Sequence, residues 1–305
     1  DMDGSNGKVG MYEFSYVGAL QLQAAARQPP SLTCIAPGMN SVDFHDGWVY
    51  RGGAFSLAFN VSWARFLAID TAQRRDDDEE MAEKMAELGN ARYDHLPLEE
   101  FPGFDELAPY FHEWIDHETN DDYWQSLSLN SRFDEIDVPA FHVAGWYDTF
   151  LEGTLKNYSR MVDMSGHPQK LRIFPWWHTP WSARVGSVDF GPEAANEFDR
   201  EQLRWFDRWL KEEENGYLEE PNVGMDAIAH SSGPFDGNAS SRRHRNELTK
   251  IARVKPILDR AVPGIEAQEM AEQHRVLASC CSLVNAFSVV KVVGDRLLEK
   301  RRTVP

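Results

Sequence analysis

The opening of the chain, GKVGMYEFSYVGALQLQAAARQPPSLTCIAPG (residues 7–38), constrains the fold more than any other stretch. GKVGMYEF (Gly7–Phe14) is a short apolar strand. YVGALQLQAAARQ (Tyr16–Gln28) combines helix formers with an apolar face, and Pro29 and Pro30 stop it. SLTCIAPG (Ser31–Gly38) is strand-like again. A strand, a helix and a second strand in immediate succession are the unit of a parallel sheet.

Ser15 falls at the sharp turn between the first strand and the helix, with Gly18 three residues on. A nucleophile elbow, G-x-S-x-G, also has a glycine two residues before its serine. Here that place holds Glu13. Two readings follow: an elbow with one altered hinge, or a serine that caps the following helix.

Later segments repeat the strand-then-helix pattern. VPAFHVAGWYD (Val138–Asp148) is a buried strand closed by an acid, followed by a helix over Thr149–Gly166. QKLRIFPWWH (Gln169–His178) is a strand ending on a histidine. Pro192–Gly216 is a long amphipathic helix with Leu203, Phe206, Trp209 and Leu210 on one face, stopped by Asn215-Gly216. Residues 60–133 are helical and charged. Within them Asp76–Gly89 is a helix with acids in its first turn, as the helix dipole prefers. His112 and His117 are five apart, which puts them on different helix faces and argues for surface or cap positions rather than a metal pair.

In open parallel sheets chemistry gathers at the carboxyl ends of strands. Three such ends carry Ser15, Asp148 and His178, in the order serine, acid, histidine. A hydroxyl is a weak nucleophile and needs a base, an imidazole can take and return the proton, and a buried carboxylate orients the imidazolium. The next backbone N–H, that of Tyr16, would face the developing oxyanion. Singly, Asp148 could cap a helix and His178 could be a core histidine; together, and in order, they point to a triad.

Charge limits the partners. The net charge of −18 disfavours nucleic acid, and SRRHR (Ser241–Arg245) is a solvated loop at that balance. No run approaches the ~20 apolar residues of a membrane span. The chain shows no signal-peptide pattern and does not begin with methionine, so the start of the protein is expected upstream, and the compartment stays open between cytoplasm and export. Cys34, Cys280 and Cys281 make no disulfide framework. Asn60, Asn157 and Asn238 fit N-x-S, a triplet that arises by chance. All ten tryptophans and nine tyrosines lie before residue 218. Residues 1–223 carry 18 Lys+Arg against 40 Asp+Glu, and residues 224–305 carry 13 against 9. The tail is therefore a different kind of sequence, either a further domain or an end foreign to the rest.

At the triad candidates the sequence resembles the α/β-hydrolase group that contains cocaine esterase, α-amino-acid ester hydrolase, glutaryl-cephalosporin acylase and the catalytic domain of X-Pro dipeptidyl-peptidase. The resemblance rests on NGKVGMYEFSYVGALQLQAA, APGMNSVDFHDGWVYRGGAF, DDYWQSLS, IDVPAFHVAGWYDTFLEGTLKNY, FPWWH and the segment from Val188 to Val223, in family order across residues 6–223. It implies an α/β-hydrolase fold, a mostly parallel sheet flanked by helices, with the core at 1–52 and 134–223 and a helical cap inserted at 53–133. It implies that Ser15 is acylated, Asp148 is the triad acid, His178 the base and the Tyr16 amide an oxyanion donor. Trp146 and Tyr147 would lie near the triad. Asp43 and Asp46 lie where some relatives bind a substrate ammonium, although acids near a turn are usually local structure. The substrate would be a small ester or amide, or a short peptide with an X-Pro bond, with no cofactor and no metal.

The sequence also departs from the pattern. Glu13 and Phe174 stand where relatives have glycine. The family's first strands, and a tyrosine that gives the second oxyanion donor, should precede Asp1. After Val223 the family continues into a β-rich jelly roll, whereas residues 224–305 read as helix-prone. These departures sustain a second expectation, a hydrolase-like chain without activity of its own.

Overall fold

The computed structural model describes residues 5–74 and 93–225. The Asp76–Gly89 helix, the Ser241–Arg245 loop, Asn238, Cys280 and Cys281 lie outside the described residues. The described chain divides into two compact units, one built from the residues up to Val42 and from Leu129 onward, the other from Asp43–Ser128.

The first unit is a five-stranded, wholly parallel sheet. Its strands are β1 (Val9–Phe14), β2 (Leu32–Gly38), β5 (Ala140–Gly145), β6 (Gln169–Phe174) and β9 (Val223–Met225), neighbouring in that order, while β7 (Arg184–Val185) and β8 (Val188–Asp189) form a separate antiparallel pair. Helix α1 (Tyr16–Ala25) connects β1 to β2, and the helices Leu151–Met164 and Glu193–Leu210 precede β6 and β9. Strand side chains alternate between faces. Thus Cys34, Ala36, Phe141 and Val143 pack on Phe198, Trp205, Phe206 and Leu210 of the long helix. Ile35 and Ala140 pack on the other face with Leu22 and Ala25 of α1 and Met161 of Leu151–Met164. A sheet covered on both faces buries its central strands throughout, and β5 and β6 are buried along their whole length.

Two buried cations stand on β6. Lys170 donates to Leu218 O at 3.2 Å and lies over the Tyr217 ring. Arg172 Nε meets Glu201 Oε2 at 2.5 Å. Both are compensated, as buried cations must be, and both hold the segment that leads into β9. β9 carries the sheet two residues past Val223.

Several elements are shorter than their sequence patterns. The long helix ends at Leu210, before Asn215-Gly216, because Glu212 takes a left-handed φ of +61° and reverses the chain. Asn215 then returns to the helix, exchanging hydrogen bonds with Arg204. Helix α1 ends at Ala25.

The second unit is helical, with one small antiparallel pair, β3 (Tyr50–Arg51) and β4 (Ala54–Phe55). Helix α2 (Leu57–Arg74) turns Ala64, Ala68 and Ala72 inward, and these small residues let Phe101, Phe104 and Phe111 pack closely on it. His117 caps the helix Tyr110–Asp116 and bonds Asp121, and His112 stands 3.0 Å from Asp105. The Asn60 and Asn157 side chains are buried, one donating to Val49 O and the other to Asn40 Oδ1. No described helix is long and apolar enough to cross a membrane.

Candidate active site

Ser15 immediately follows β1 with φ +63° and ψ −139°, a strained conformation for a residue with a side chain. Its hydroxyl makes no capping bond to α1. Instead Ser15 Oγ lies 2.9 Å from His178 Nε2. The capping reading of this serine therefore fails: the backbone turns away from a cap geometry and aims the hydroxyl at the imidazole.

The turn is held from three sides. Ser15 N donates to Gly38 O at 3.0 Å, locking it to the end of β2. Gln21, buried in α1, donates to Glu13 O at 3.1 Å and accepts the Ala36 amide at 3.1 Å. Gly18 lies so close to β2 that a Cβ there would stand 2.7 Å from Gly38 O. Glu13, at the place of a glycine in the elbow pattern, has φ +154°, a value open to glycine and costly for other residues. Its carboxylate folds back to accept the Phe14 amide at 3.3 Å.

Asp148 lies three residues past β5, and His178 four residues past β6. The β5–β6 ladder extends beyond the strands: Trp146 N donates to Phe174 O at 2.8 Å, and Tyr147 N to Trp176 O at 2.9 Å. These two bonds carry the acid and the histidine together. Gly145 makes the approach possible, since a Cβ there would meet Trp176 O at 2.5 Å. Trp176 is fully buried, stacked on Phe174 with ring centres 4.2 Å apart, and its indole donates to Ala194 O at 2.7 Å.

His178 Nδ1 is 2.8 Å from Asp148 Oδ1, and the Asp148 side chain is fully buried. An ionised carboxylate only accepts, so Nδ1 carries the proton and Nε2 is left to accept from the Ser15 hydroxyl. Asp148 Oδ2 has no hydrogen-bond partner among the described residues. Phe150 backs the imidazole, ring centres 5.1 Å apart. Tyr16 opens α1, where a first-turn amide has no i−4 carbonyl within its helix.

The structure brings Ser15, Asp148 and His178 together. Of the residues named beside them, Trp146 packs with Ala144, Leu151 and Leu155, and the Tyr147 ring meets Phe190 at 5.9 Å. Burial raises the Tyr147 phenol pKa. Asp43 and Asp46 belong to the second unit, where Asp43 Oδ1 accepts the Asp46 amide and Asp46 Oδ1 accepts the Gly52 amide. Among the described residues no cluster of His, Cys, Asp and Glu could hold a metal ion.

Sequence reasoning missed Phe150 and Trp181. Trp181, three residues past His178, has φ +62°, sets its ring edge-on to Phe14 at 5.6 Å and donates to Asp199. It ties the residue before Ser15 to the histidine loop. A tryptophan in TPWS carries no periodicity, so nothing local marked it.

A model of the X-Pro dipeptidyl-peptidase (S15) family matches residues 1–180. Cocaine esterase from Rhodococcus sp. (strain MB1 Bresler) is 31% identical over 232 residues, covering 72% of this chain and 40% of that protein. Among solved structures, an α-amino acid ester hydrolase superposes with a TM-score of 0.51 at 21% identity, covering 72% of this chain and 37% of that one. An aminopeptidase from the marine sediment archaeon Thaumarchaeota archaeon gives 0.54 at 18% identity, covering 73% and 38%. At such identities the two structures speak for the fold alone. The chain spans 40% of the length of the curated relative it matches.

Proposed function

The chain belongs to the X-Pro dipeptidyl-peptidase (S15) family, and from that premise we propose that it acts as a serine hydrolase on an ester or amide through an acyl-enzyme. One observation carries this reading: the unbroken relay from Ser15 Oγ to His178 Nε2 at 2.9 Å and from His178 Nδ1 to Asp148 Oδ1 at 2.8 Å.

In this mechanism His178 Nε2 takes the Ser15 proton as Oγ attacks the substrate carbonyl carbon. Charge develops on the carbonyl oxygen, and the Tyr16 amide is its donor. The new imidazolium is held by the buried Asp148 carboxylate. Collapse of the intermediate breaks the bond to the leaving group, which takes the proton from Nε2. Water then repeats the sequence on the acyl-serine, releasing the acid and restoring Ser15.

The substrate is a small ester or amide or a short peptide. Supporting this range, the matching family model is that of X-Pro dipeptidyl-peptidases and the curated relative is a cocaine esterase. Stopped-flow release of p-nitrophenol from p-nitrophenyl acetate tests the acyl-enzyme: a burst followed by a slower steady phase is expected, and Ser15→Ala removes both. Release from an Ala-Pro anilide compared with the aryl ester then separates peptidase from esterase. A folded protein with neither release would leave the chain without hydrolase activity of its own.

A further inference from the structure

At the end of β2 the chain turns on Met39, fully buried at φ +47°, whose amide donates to Val143 O at 2.8 Å. The turn sends the next side chain, Asn40, into the interior, where it is fully buried. Asn40 Nδ2 donates to Gly38 O at 3.2 Å, the same carbonyl that accepts the Ser15 amide at 3.0 Å. Asn40 Oδ1 accepts from Asn157 Nδ2 at 3.0 Å. A single hydroxyl, Thr154 Oγ1, holds both sides of the Asn40 backbone, accepting its N–H at 3.1 Å and donating to its carbonyl at 3.1 Å. Thr154 and Asn157 sit on the helix Leu151–Met164, which begins three residues past Asp148. The start of α1 rests on the same cluster, since a Cβ on Gly18 would come within 2.9 Å of Asn40 Nδ2.

We propose that Asn40 is a positioning residue, a buried bracket that sets the Ser15 turn against the helix behind the Asp148 turn. Nothing about the cluster touches the reacting atoms; it acts through Gly38 O on one side and through Thr154 and Asn157 on the other. A core residue serving only stability could be apolar at this place. A neutral amide that both donates and accepts instead fixes direction as well as distance, because each bond is lost on a small rotation. The inference rests on the hydrolase reading above.

The test is acylation of Ser15 by p-nitrophenyl acetate in wild type, Asn40→Ala, Thr154→Val and Thr154→Ser, each with its folded fraction measured by circular dichroism. Misplacing reacting groups by about 1 Å can cost up to ~100-fold, so a loss of at least about tenfold in the acylation rate of folded Asn40→Ala and Thr154→Val is expected. KM should hold, and Thr154→Ser, which keeps the hydroxyl, should recover the wild-type rate. Folded Asn40→Ala and Thr154→Val proteins that acylate at the wild-type rate overturn the inference, whatever their stability. Should Asn40→Ala not fold, the near-isosteric Thr154→Val set against Thr154→Ser decides by itself. A folded wild type that does not acylate removes the hydrolase reading, and this inference falls with it.

Discussion

Ser15 Oγ and His178 Nε2 stand 2.9 Å apart although 163 residues separate them. That contact exists because β1 and β6 run parallel and end at the same edge of the sheet. Everything proposed about chemistry depends on it, and on the carboxylate behind it.

Replacing Asp148 by Asn keeps the shape of the side chain and removes its charge. The amide can donate to Nδ1, which favours the wrong imidazole tautomer and leaves Nε2 protonated toward Ser15. A fall in kcat of roughly 10⁴ is expected, with KM little changed. Steady-state kinetics on an aryl ester measures it. A fall of less than about tenfold would mean that Asp148 does not orient the base.

Glu13 asks whether the missing glycine has spoiled the turn. Ser15 already meets His178, so the turn forms with Glu13 in place, at the expense of its φ of +154°. Such strain costs on the order of 1–3 kcal/mol, partly offset by the extra freedom glycine gives the unfolded chain. Glu13→Gly should therefore stabilise the protein by about 1 kcal/mol in urea titration while leaving turnover unchanged. A large gain in turnover would show that Glu13 distorts the serine.

Gly18 should respond in the opposite sense. A Cβ at this position sits 2.7 Å from a backbone carbonyl that cannot yield cheaply. Gly18→Ala should cost about 1–3 kcal/mol by urea titration and lower Ser15 reactivity in the folded fraction. Unchanged stability and reactivity would refute the close packing of α1 on β2.

His142, fully buried on β5, gives the fold a pH dependence. Burial lowers its pKa from 6.5 to about 4, and Gln169, 3.3 Å away, offsets this only in part. Between those two values the unfolded chain binds the proton and the folded chain does not, so stability falls as pH drops from 6.5 to 4. The shift corresponds to about 3 kcal/mol. His142→Gln should flatten this part of the stability curve, read as the difference between the two proteins' denaturation midpoints across that range.

How much could be read in advance follows from where the signals lie. Strand, turn and helix succession is local, so the parallel sheet and the positions of Ser15, Asp148 and His178 at strand ends were legible in residues 7–38 and 138–178. The long helix's end was not, because Asn215-Gly216 suggested a stop that Glu212 makes earlier through its left-handed backbone. Asn40 was invisible for a different reason. Its partners Thr154 and Asn157 are more than a hundred residues away, and an asparagine after a strand looks like a loop residue until the fold encloses it. Asp43 and Asp46 drew notice by their place in a family pattern, and each accepts an amide of its own local turn, as acids near turns usually do.

The most direct measurement is covalent labelling of the folded chain by a fluorophosphonate, followed by peptide mass spectrometry. The account predicts one adduct, on Ser15, absent in Ser15→Ala and formed far more slowly in His178→Ala. Folded wild-type protein that takes no label, or takes it on another residue, would contradict the claim that Ser15 is an activated nucleophile.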